Sequence, residues 1–184
     1  MASRKHGAAR GGLSGGLEVA RPEAFIGSAL FFLIAPGSIA GFIPWLITGW
    51  RIEAGASTIA SIAGALLIVV FAAMLIECFT RFARHGGTPA PVAPTEHLVV
   101  TGLYRYVRNP MYVAVTGLIF AQMLLFGSAA LFAYGIVVWL GFHLFVLGYE
   151  EPTLERTYGE DYEDYRKAVP RWLPRFKPWT PPAS

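Results

Sequence analysis

This sequence has very little charge and only one cysteine. Cys78 has no second cysteine to pair with, which excludes an internal disulfide and a cysteine metal cluster. Charged residues make up 15% of the chain, whereas soluble domains usually carry about 25%. The sequence also lacks a glycine-rich dinucleotide motif, a phosphate-binding loop, metal-spaced His and Cys residues and a nucleophile elbow. An ordinary soluble nucleotide-binding or metal-dependent enzyme is therefore not expected.

The sequence is instead rich in apolar residues. They make up 54% of the chain, and its mean hydropathy is +0.48. Uncharged or nearly uncharged apolar runs at residues 24–47, 58–79, 110–126 and 129–149 have the lengths of membrane spans. We therefore predict an all-α fold, a multi-spanning membrane helical bundle of about four spans. Prolines and glycine in the first run should kink or break its helix.

The segments outside these runs are polar. Residues 1–21 are rich in glycine, alanine and basic residues, and we expect a flexible cytoplasmic arm there. Residues 22–184 then form a single membrane domain. Apolar side chains recur at helical spacing in residues 152–169, which predicts one cytoplasmic amphipathic helix. Its apolar face would consist of Leu154, Tyr158, Tyr162, Tyr165 and Val169.

The basic residues are distributed unevenly between the predicted loops. Of the 15 lysines and arginines, Arg51 alone falls on one side of the predicted membrane. Cytoplasmic loops carry an excess of Lys and Arg, so we expect both termini in the cytoplasm, and the inner membrane if the source is bacterial. The net charge of +3 then reflects topology, and we expect membrane lipids rather than nucleic acid as partners.

The segment Thr101–Tyr112 combines tyrosines, arginines and an Asn-Pro step at the start of an apolar run. Asn109 suits a helix N-cap, and Pro110 suits the first helical position. Free backbone N–H groups there, with Arg105 and Arg108 nearby, would also attract a carboxylate or phosphate. The two arginines could equally serve as cytoplasmic anchors.

The adjacent carboxylates Glu150 and Glu151 lie at the predicted end of the fourth span. They oppose the helix dipole and each other, and burying charge at a membrane boundary is costly. A ligand with positive charge or hydroxyl donors could offset this cost. The alternative is a structural ion pair with Arg105, Arg108 or Arg171.

His143 precedes Glu150 by seven residues, which would place it on the same face of a regular helix, about 10 Å deeper in the membrane. It could line a substrate cavity or be a packed, hydrogen-bonded histidine. His97 could contact a ligand or be a solvated loop residue.

These segments together resemble the membrane family of isoprenylcysteine carboxyl methyltransferase and the related phospholipid methyltransferases. The resemblance covers residues 97–174 and includes Gly102–Tyr112, Glu150–Leu154, Tyr158–Tyr165 and Val169–Pro174, in that order. Members of the family are small helical bundles that bind S-adenosylmethionine at the cytoplasmic face and admit their substrate from the bilayer. The resemblance implies the same cofactor here, with a lipid or lipidated substrate.

The resemblance also implies individual cofactor contacts. His97, Val99 and Val100 would border the adenosine, and Glu150 would contact polar groups of the cofactor. The other residues implied to bind it are Tyr104, Arg108, Asn109, Pro110, Met111 and Tyr112.

Three positions differ from the family pattern. Asn109 stands where histidine is frequent, and Ala114 stands where glycine is usual. Val146 stands where the isoprenylcysteine enzymes have an arginine that faces the substrate carboxylate. The nucleophile could therefore be a carboxylate, a thiolate or an amine.

The reaction implied by the resemblance is methyl transfer to an acceptor held in line with the sulfonium. Glu150, Glu151 and His143 are the candidate catalytic residues. An amine acceptor would have to arrive neutral, and His143 or Glu151 could take its proton. The alternatives are a membrane oxidoreductase of the steroid-reductase type and a non-enzymatic membrane scaffold. The oligomeric state is left open.

Overall fold

A computed structural model describes residues 34–84, 98 and 100–180 of the chain. The predicted arm at residues 1–21, the start of the first predicted span, His97 and Val99 lie outside the described residues. Every regular element within the described residues is a helix, which confirms the all-α prediction.

Helix α1 runs over Ile34–Thr48 and contains a π-helical turn at Ser38–Phe42. Such a turn departs from the regular α-helical hydrogen-bond pattern, and polar side chains from other helices bond carbonyls within it. Gln122 Nε2 donates to the carbonyl of Ala40 at 2.7 Å. The Tyr134 hydroxyl donates to the carbonyl of Ile39 at 2.9 Å. The expected kink or break is therefore a π-helical turn whose backbone is partly satisfied by its neighbours.

Helix α2 runs over Thr58–Arg84 and is longer than the predicted span, which ended at residue 79. At 1.5 Å per residue it is about 40 Å long, more than the ~30 Å hydrocarbon core of a bilayer. Its exposed large apolar side chains include Ile59, Ile62, Leu66, Val69, Val70 and Ile76. A continuous apolar face of this kind suits contact with lipid.

Helices α3 (Pro110–Phe126) and α4 (Ala129–Phe145) form a hairpin. Gly127 ends α3 in the left-handed conformation, with φ 73°, and Ser128 starts the next helix. Helix α3 begins and ends at the residues predicted for the third span. The tight turn brings the start of α3 and the end of α4 to the same end of the bundle.

Helix α3 is the central helix, because it packs against both α2 and α4. Gly117 allows the close approach to α2: a Cβ at this position would lie 2.5 Å from Cε1 of Phe71. Leu75, Ala114 and Val115 belong to the apolar core between the two helices.

The C-terminal region corrects one prediction. Helix α4 continues through a π-helical turn, Val146–Glu150, into α5 (Glu151–Tyr158), and α6 (Glu160–Ala168) follows. The single amphipathic helix predicted for residues 152–169 is wrong, because Gly159 adopts φ 53° and ψ −124° and ends α5.

The predicted apolar face of this region packs inside the protein. Tyr162, Tyr165 and Val169 form a buried cluster, against which Leu98 and Val100 pack. The apolar face of this region therefore packs against Leu98 and Val100, which precede α3 in the chain.

Two helical stretches, Thr58–Arg81 and Ala129–Tyr158, are long and apolar enough to cross a membrane. Two further apolar helices, Ile34–Thr48 and Pro110–Phe126, are shorter. Core helices of a soluble protein would be mostly buried, whereas only 11% and 17% of the most apolar windows of the two long stretches are buried. These features indicate a helical bundle associated with a membrane.

Candidate functional site

A short 3₁₀ turn, Gly102–Arg105, leads into the start of α3. Tyr104 in this turn is buried, and Pro110 occupies the first turn of α3, where its missing N–H is not needed. Asn109 holds the predicted N-cap position, but its side chain does not bond the helix backbone. Its Nδ2 donates instead to the carbonyl of Arg171 at 3.2 Å, so this position joins α3 to the C-terminal tail, residues 170–180.

The C-terminal tail is hydrogen-bonded along the segment before α3. Three backbone bonds of 2.9 Å join them: Arg108 N to Pro170 O, Arg175 N to Tyr106 O, and Trp179 N to Arg105 O. The Tyr165 hydroxyl adds a bond of 2.7 Å to the carbonyl of Tyr104. The tail and α6 together fix the position of the 3₁₀ turn.

Glu151 lies among positive charges. Arg171 Nε and Nη2 donate to its two carboxylate oxygens at 2.7 and 2.8 Å, and Arg108 Nη1 donates to Oε1 at 2.8 Å. The side chains of Glu151 and Arg108 are each 9% exposed. The Tyr162 hydroxyl accepts a longer bond, 3.3 Å, from the same Arg108 nitrogen. These contacts correspond to the structural ion-pair alternative for Glu151.

Arg105 does not join this cluster. Its Nε donates to the carbonyl of Trp179 at 2.6 Å, and its Nη2 donates to the Thr180 hydroxyl at 2.8 Å. Arg105 therefore binds the tail.

Glu150 has a different environment from its neighbour. The Tyr112 hydroxyl donates to Glu150 Oε2 at 2.8 Å, and the ring of Tyr112 lies 4.7 Å, centroid to centroid, from that of Phe142. Within the described residues Glu150 has no ion pair with a lysine or arginine. Adjacent positions on a helix point about 100° apart, which lets the two carboxylates enter separate environments.

His143 belongs to an aromatic cluster. Trp172 Nε1 donates to its Nδ1 at 3.1 Å, and the ring of Trp139 stacks on it with centroids 5.2 Å apart. The expected alignment with Glu150 assumed a regular α-helix, but the π-helical turn Val146–Glu150 lies between them and changes the rotation. The contacts of His143 correspond to the packed, hydrogen-bonded alternative.

Burial keeps the tyrosines of the 3₁₀ turn and of α6 neutral. Burial raises the pKa of Tyr104 well above its usual value, and nearby Cys78, Tyr165 and Glu150 raise it further. Burial also raises the pKa of Tyr162. These phenols therefore act as neutral hydrogen-bonding groups at physiological pH.

Comparison with known proteins identifies the family. The sequence profile described as phospholipid methyltransferase matches residues 59–161, which is more than half of the chain. The chain belongs to the phospholipid methyltransferase family. The matched region of this family includes Tyr112, Glu150 and Glu151, whereas Arg171 and Trp172 in the tail lie beyond it.

Two curated relatives are similar to parts of the chain. The protein-S-isoprenylcysteine O-methyltransferase of Schizosaccharomyces pombe is 38% identical over 81 residues, which cover 43% of this chain and 34% of the relative. The protein of the same name from Rattus norvegicus is 32% identical over 119 residues, which cover 62% of this chain and 42% of the relative. The chain thus spans less than half the length of the curated relatives it matches. No solved structure matches it.

The structure gathers most of the residues predicted to bind the cofactor. Tyr104, Arg108, Asn109 and Tyr112 lie on one segment, with Glu150 bonded to it. Met111 packs against the core between α2 and α3, and Val100 packs on the tyrosine cluster of α6. The binding role of these residues remains a prediction.

Sequence reasoning missed three residues that contact this region: Tyr162, Tyr165 and Trp172. The spacing of the two tyrosines does indicate a shared helical face, but it does not indicate what that face packs against. Nothing in the local sequence pairs Trp172 with a histidine 29 residues earlier.

Proposed function

We propose that this chain is an integral membrane methyltransferase that uses S-adenosylmethionine to methylate a lipid or lipidated small molecule. Family membership and the names of the two curated relatives support the activity. The single observation that carries the proposed site is the hydrogen bond between Tyr112 and Glu150, which joins two family segments 38 residues apart.

The side chains around Glu150 fit the cofactor. S-adenosylmethionine carries a sulfonium, an ammonium and ribose hydroxyls, all of which a carboxylate can attract or accept from. Glu150 is bonded to a neutral phenol, so its charge is not already compensated by an arginine. The rings of Tyr112 and Phe142 add apolar faces that attract a cation. When bound, the cofactor supplies an electrophilic methyl group on a positively charged sulfur.

We assign different tasks to the residues of the chain. Glu150 binds the polar groups of the cofactor, and the Tyr112 hydroxyl orients its carboxylate. Tyr104, Arg108, Asn109, Pro110 and Met111 form the segment that presents Tyr112, and the C-terminal tail covers this segment and excludes water.

Glu151 is a positioning residue in this proposal. It holds the start of α5 to Arg108 and to the tail through Arg171. A carboxylate bound by two guanidinium groups is a weak proton acceptor. Orientation of the reactants therefore contributes more to the proposed reaction than general-base catalysis by this glutamate.

We further propose that the chain crosses the membrane four times. In this topology both termini and the segment before α3 lie in the cytoplasm. The backbone N–H of Glu53 donates to the carbonyl of Phe126 at 2.8 Å, so the loop that carries Arg51 lies beside the α3–α4 turn. Arg105, Arg108 and the basic tail lie at the opposite end of α3. This separation of basic residues supports the positive-inside orientation.

The proposal is tested by incubating purified protein with a lipid extract and an isotopically labelled methyl donor. Mass spectrometry should detect a labelled lipid with the wild type and little or none with Glu150→Gln. Glu155→Gln is the control, because Glu155 forms an exposed pair with Arg166 at 3.3 Å. Absence of both donor binding and labelled lipid in the wild type would overturn the proposal, and binding of a reduced nicotinamide cofactor would favour an oxidoreductase.

A further inference from the structure

Arg81, near the end of α2, packs against the 3₁₀ turn that precedes α3. A Cβ at Gly102 would overlap the guanidinium of Arg81. Arg81 also forms an ion pair with Glu77, one helical turn earlier on α2. Gly102 has φ 56°, a conformation that favours glycine, so both the backbone and the space at this position require the smallest residue.

The turn that Arg81 contacts carries Tyr104. The side chain of Tyr104 is buried, and its hydroxyl lies near the thiol of Cys78 on α2. Glu150 lies within electrostatic range of the same hydroxyl. The position of the turn therefore determines how Tyr104 sits between α2 and the carboxylate assigned to the cofactor.

We propose that Arg81 is a positioning residue: its guanidinium, held by Glu77, supports Gly102 and thereby sets Tyr104 against Cys78 and beside Glu150. Lysine should replace this contact only in part, because its ammonium lacks the planar, multiply donating head of a guanidinium. The functional part of this inference rests on the proposed cofactor site, whereas the positioning part does not.

The first test uses Cys78 as a natural reporter. It is the only cysteine of the chain, and its side chain is fully buried. Release of the turn should uncover the thiol, so we expect Arg81→Ala and Gly102→Ala to raise its rate of alkylation by N-ethylmaleimide at least about tenfold. Arg81→Lys retains the charge but not the planar contact, and it should give an intermediate rate.

Gly49→Ala is the matched control for Gly102→Ala. Gly49 has φ 57°, nearly the same backbone conformation, but nothing lies within 4 Å of its added Cβ. Both substitutions therefore introduce similar backbone strain, and only Gly102→Ala disturbs Arg81. Unchanged alkylation in Arg81→Ala and Gly102→Ala, or an equal rise in Gly49→Ala, would overturn the positioning role.

The second test measures steady-state kinetics with the methyl donor. We expect Arg81→Ala to raise KM for the donor about tenfold, equivalent to one hydrogen-bonded contact, with kcat changed less. Arg81→Lys should recover part of the loss, which a general loss of folding would not show. Faster alkylation with unchanged donor KM would reject the link to the cofactor site. A wild type without donor binding would reject the proposed function, and the alkylation test would still decide the positioning role.

Discussion

Two adjacent glutamates at the junction between the π-helical turn and α5 have opposite environments. Glu151 is held by Arg108 and Arg171 in contacts of 2.7 to 2.8 Å. Glu150 accepts a bond from the neutral hydroxyl of Tyr112 at 2.8 Å and has no cationic partner within the described residues. One carboxylate is therefore paired with arginines of the protein itself, and the other is bonded to a neutral hydroxyl.

The difference between Glu150 and Glu151 shows that residue type alone does not indicate the role of a residue at a site. Both residues are acidic, adjacent and close to the end of the π-helical turn. Their partners come from different parts of the fold, because Arg171 belongs to the tail and Tyr112 to α3. Stability should therefore depend on Glu151, and ligand affinity on Glu150.

The largest effect is expected for Glu151→Gln. The substitution leaves two buried or partly buried guanidinium groups without their carboxylate. Removing one partner of a buried ion pair costs about 3–5 kcal/mol, so we expect a loss of this size in the free energy of unfolding. Denaturant titration of the detergent-solubilised protein, followed by circular dichroism, measures it.

Glu155→Gln is the control for this loss. The Arg166–Glu155 pair is 3.3 Å long, with side chains 40% and 43% exposed, and such exposed pairs contribute about 0–1 kcal/mol. Equal destabilisation by Glu151→Gln and Glu155→Gln would contradict a structural role specific to Glu151.

Glu150→Gln should have the second-largest effect, and it should act on binding. Hydrogen bonds to charged groups contribute about 1.5–3 kcal/mol, equivalent to a loss of affinity of roughly 10- to 150-fold. We expect a loss in that range for S-adenosylmethionine by isothermal titration calorimetry, with the unfolding transition little changed. Wild-type affinity in this variant, or destabilisation as large as that of Glu151→Gln, would remove the distinction between the two residues.

Much of the helical framework follows from local sequence. The bounds of α3 follow from Asn109-Pro110 at its start and Gly127 at its end, since these residues suit helix termini for steric reasons. The break at Gly159 does not follow from the local pattern, because glycine within a helical pattern is often tolerated, and only the observed φ of 53° shows that the chain turns there.

The separate roles of the two glutamates could not be predicted in the same way. The ion-pair alternative named Arg108 and Arg171, but the sequence did not indicate which glutamate they bind. The answer depends on the π-helical turn Val146–Glu150, which local propensity does not reveal. The tail contacts are mostly backbone hydrogen bonds to Arg105, Tyr106 and Arg108, and backbone bonds leave no pattern of side chains to read.

Tyr112→Phe tests the Glu150 side of the comparison with a smaller change. It removes the hydroxyl that orients the carboxylate but keeps the ring against Phe142. A single hydrogen bond contributes about 0.5–1.5 kcal/mol, so we expect a loss of donor affinity of roughly three- to tenfold by calorimetry. Tyr134→Phe is the control, because its hydroxyl bonds the carbonyl of Ile39 in α1 and lies outside the proposed site. Equal losses in both variants would show that the effect is not specific to Glu150.

Tyr162→Phe should have the smallest effect, and it tests whether the cluster around Glu151 depends on its ions alone. The Tyr162 hydroxyl accepts from Arg108 at 3.3 Å, whereas Glu151 accepts from the same nitrogen at 2.8 Å. Because Arg108 keeps its carboxylate partner in the variant, the free energy of unfolding should fall by less than about 1 kcal/mol.

Tyr165→Phe gives the contrast for this last prediction. Its hydroxyl makes a 2.7 Å bond to the buried carbonyl of Tyr104, and phenylalanine would remove this donor from a buried acceptor, at a cost of about 1–3 kcal/mol. If Tyr162→Phe proves as destabilising as Glu151→Gln, Arg108 is held by the phenol as much as by the carboxylate. Glu151 would then no longer be the residue that compensates this arginine, and the contrast with Glu150 would lose its physical basis.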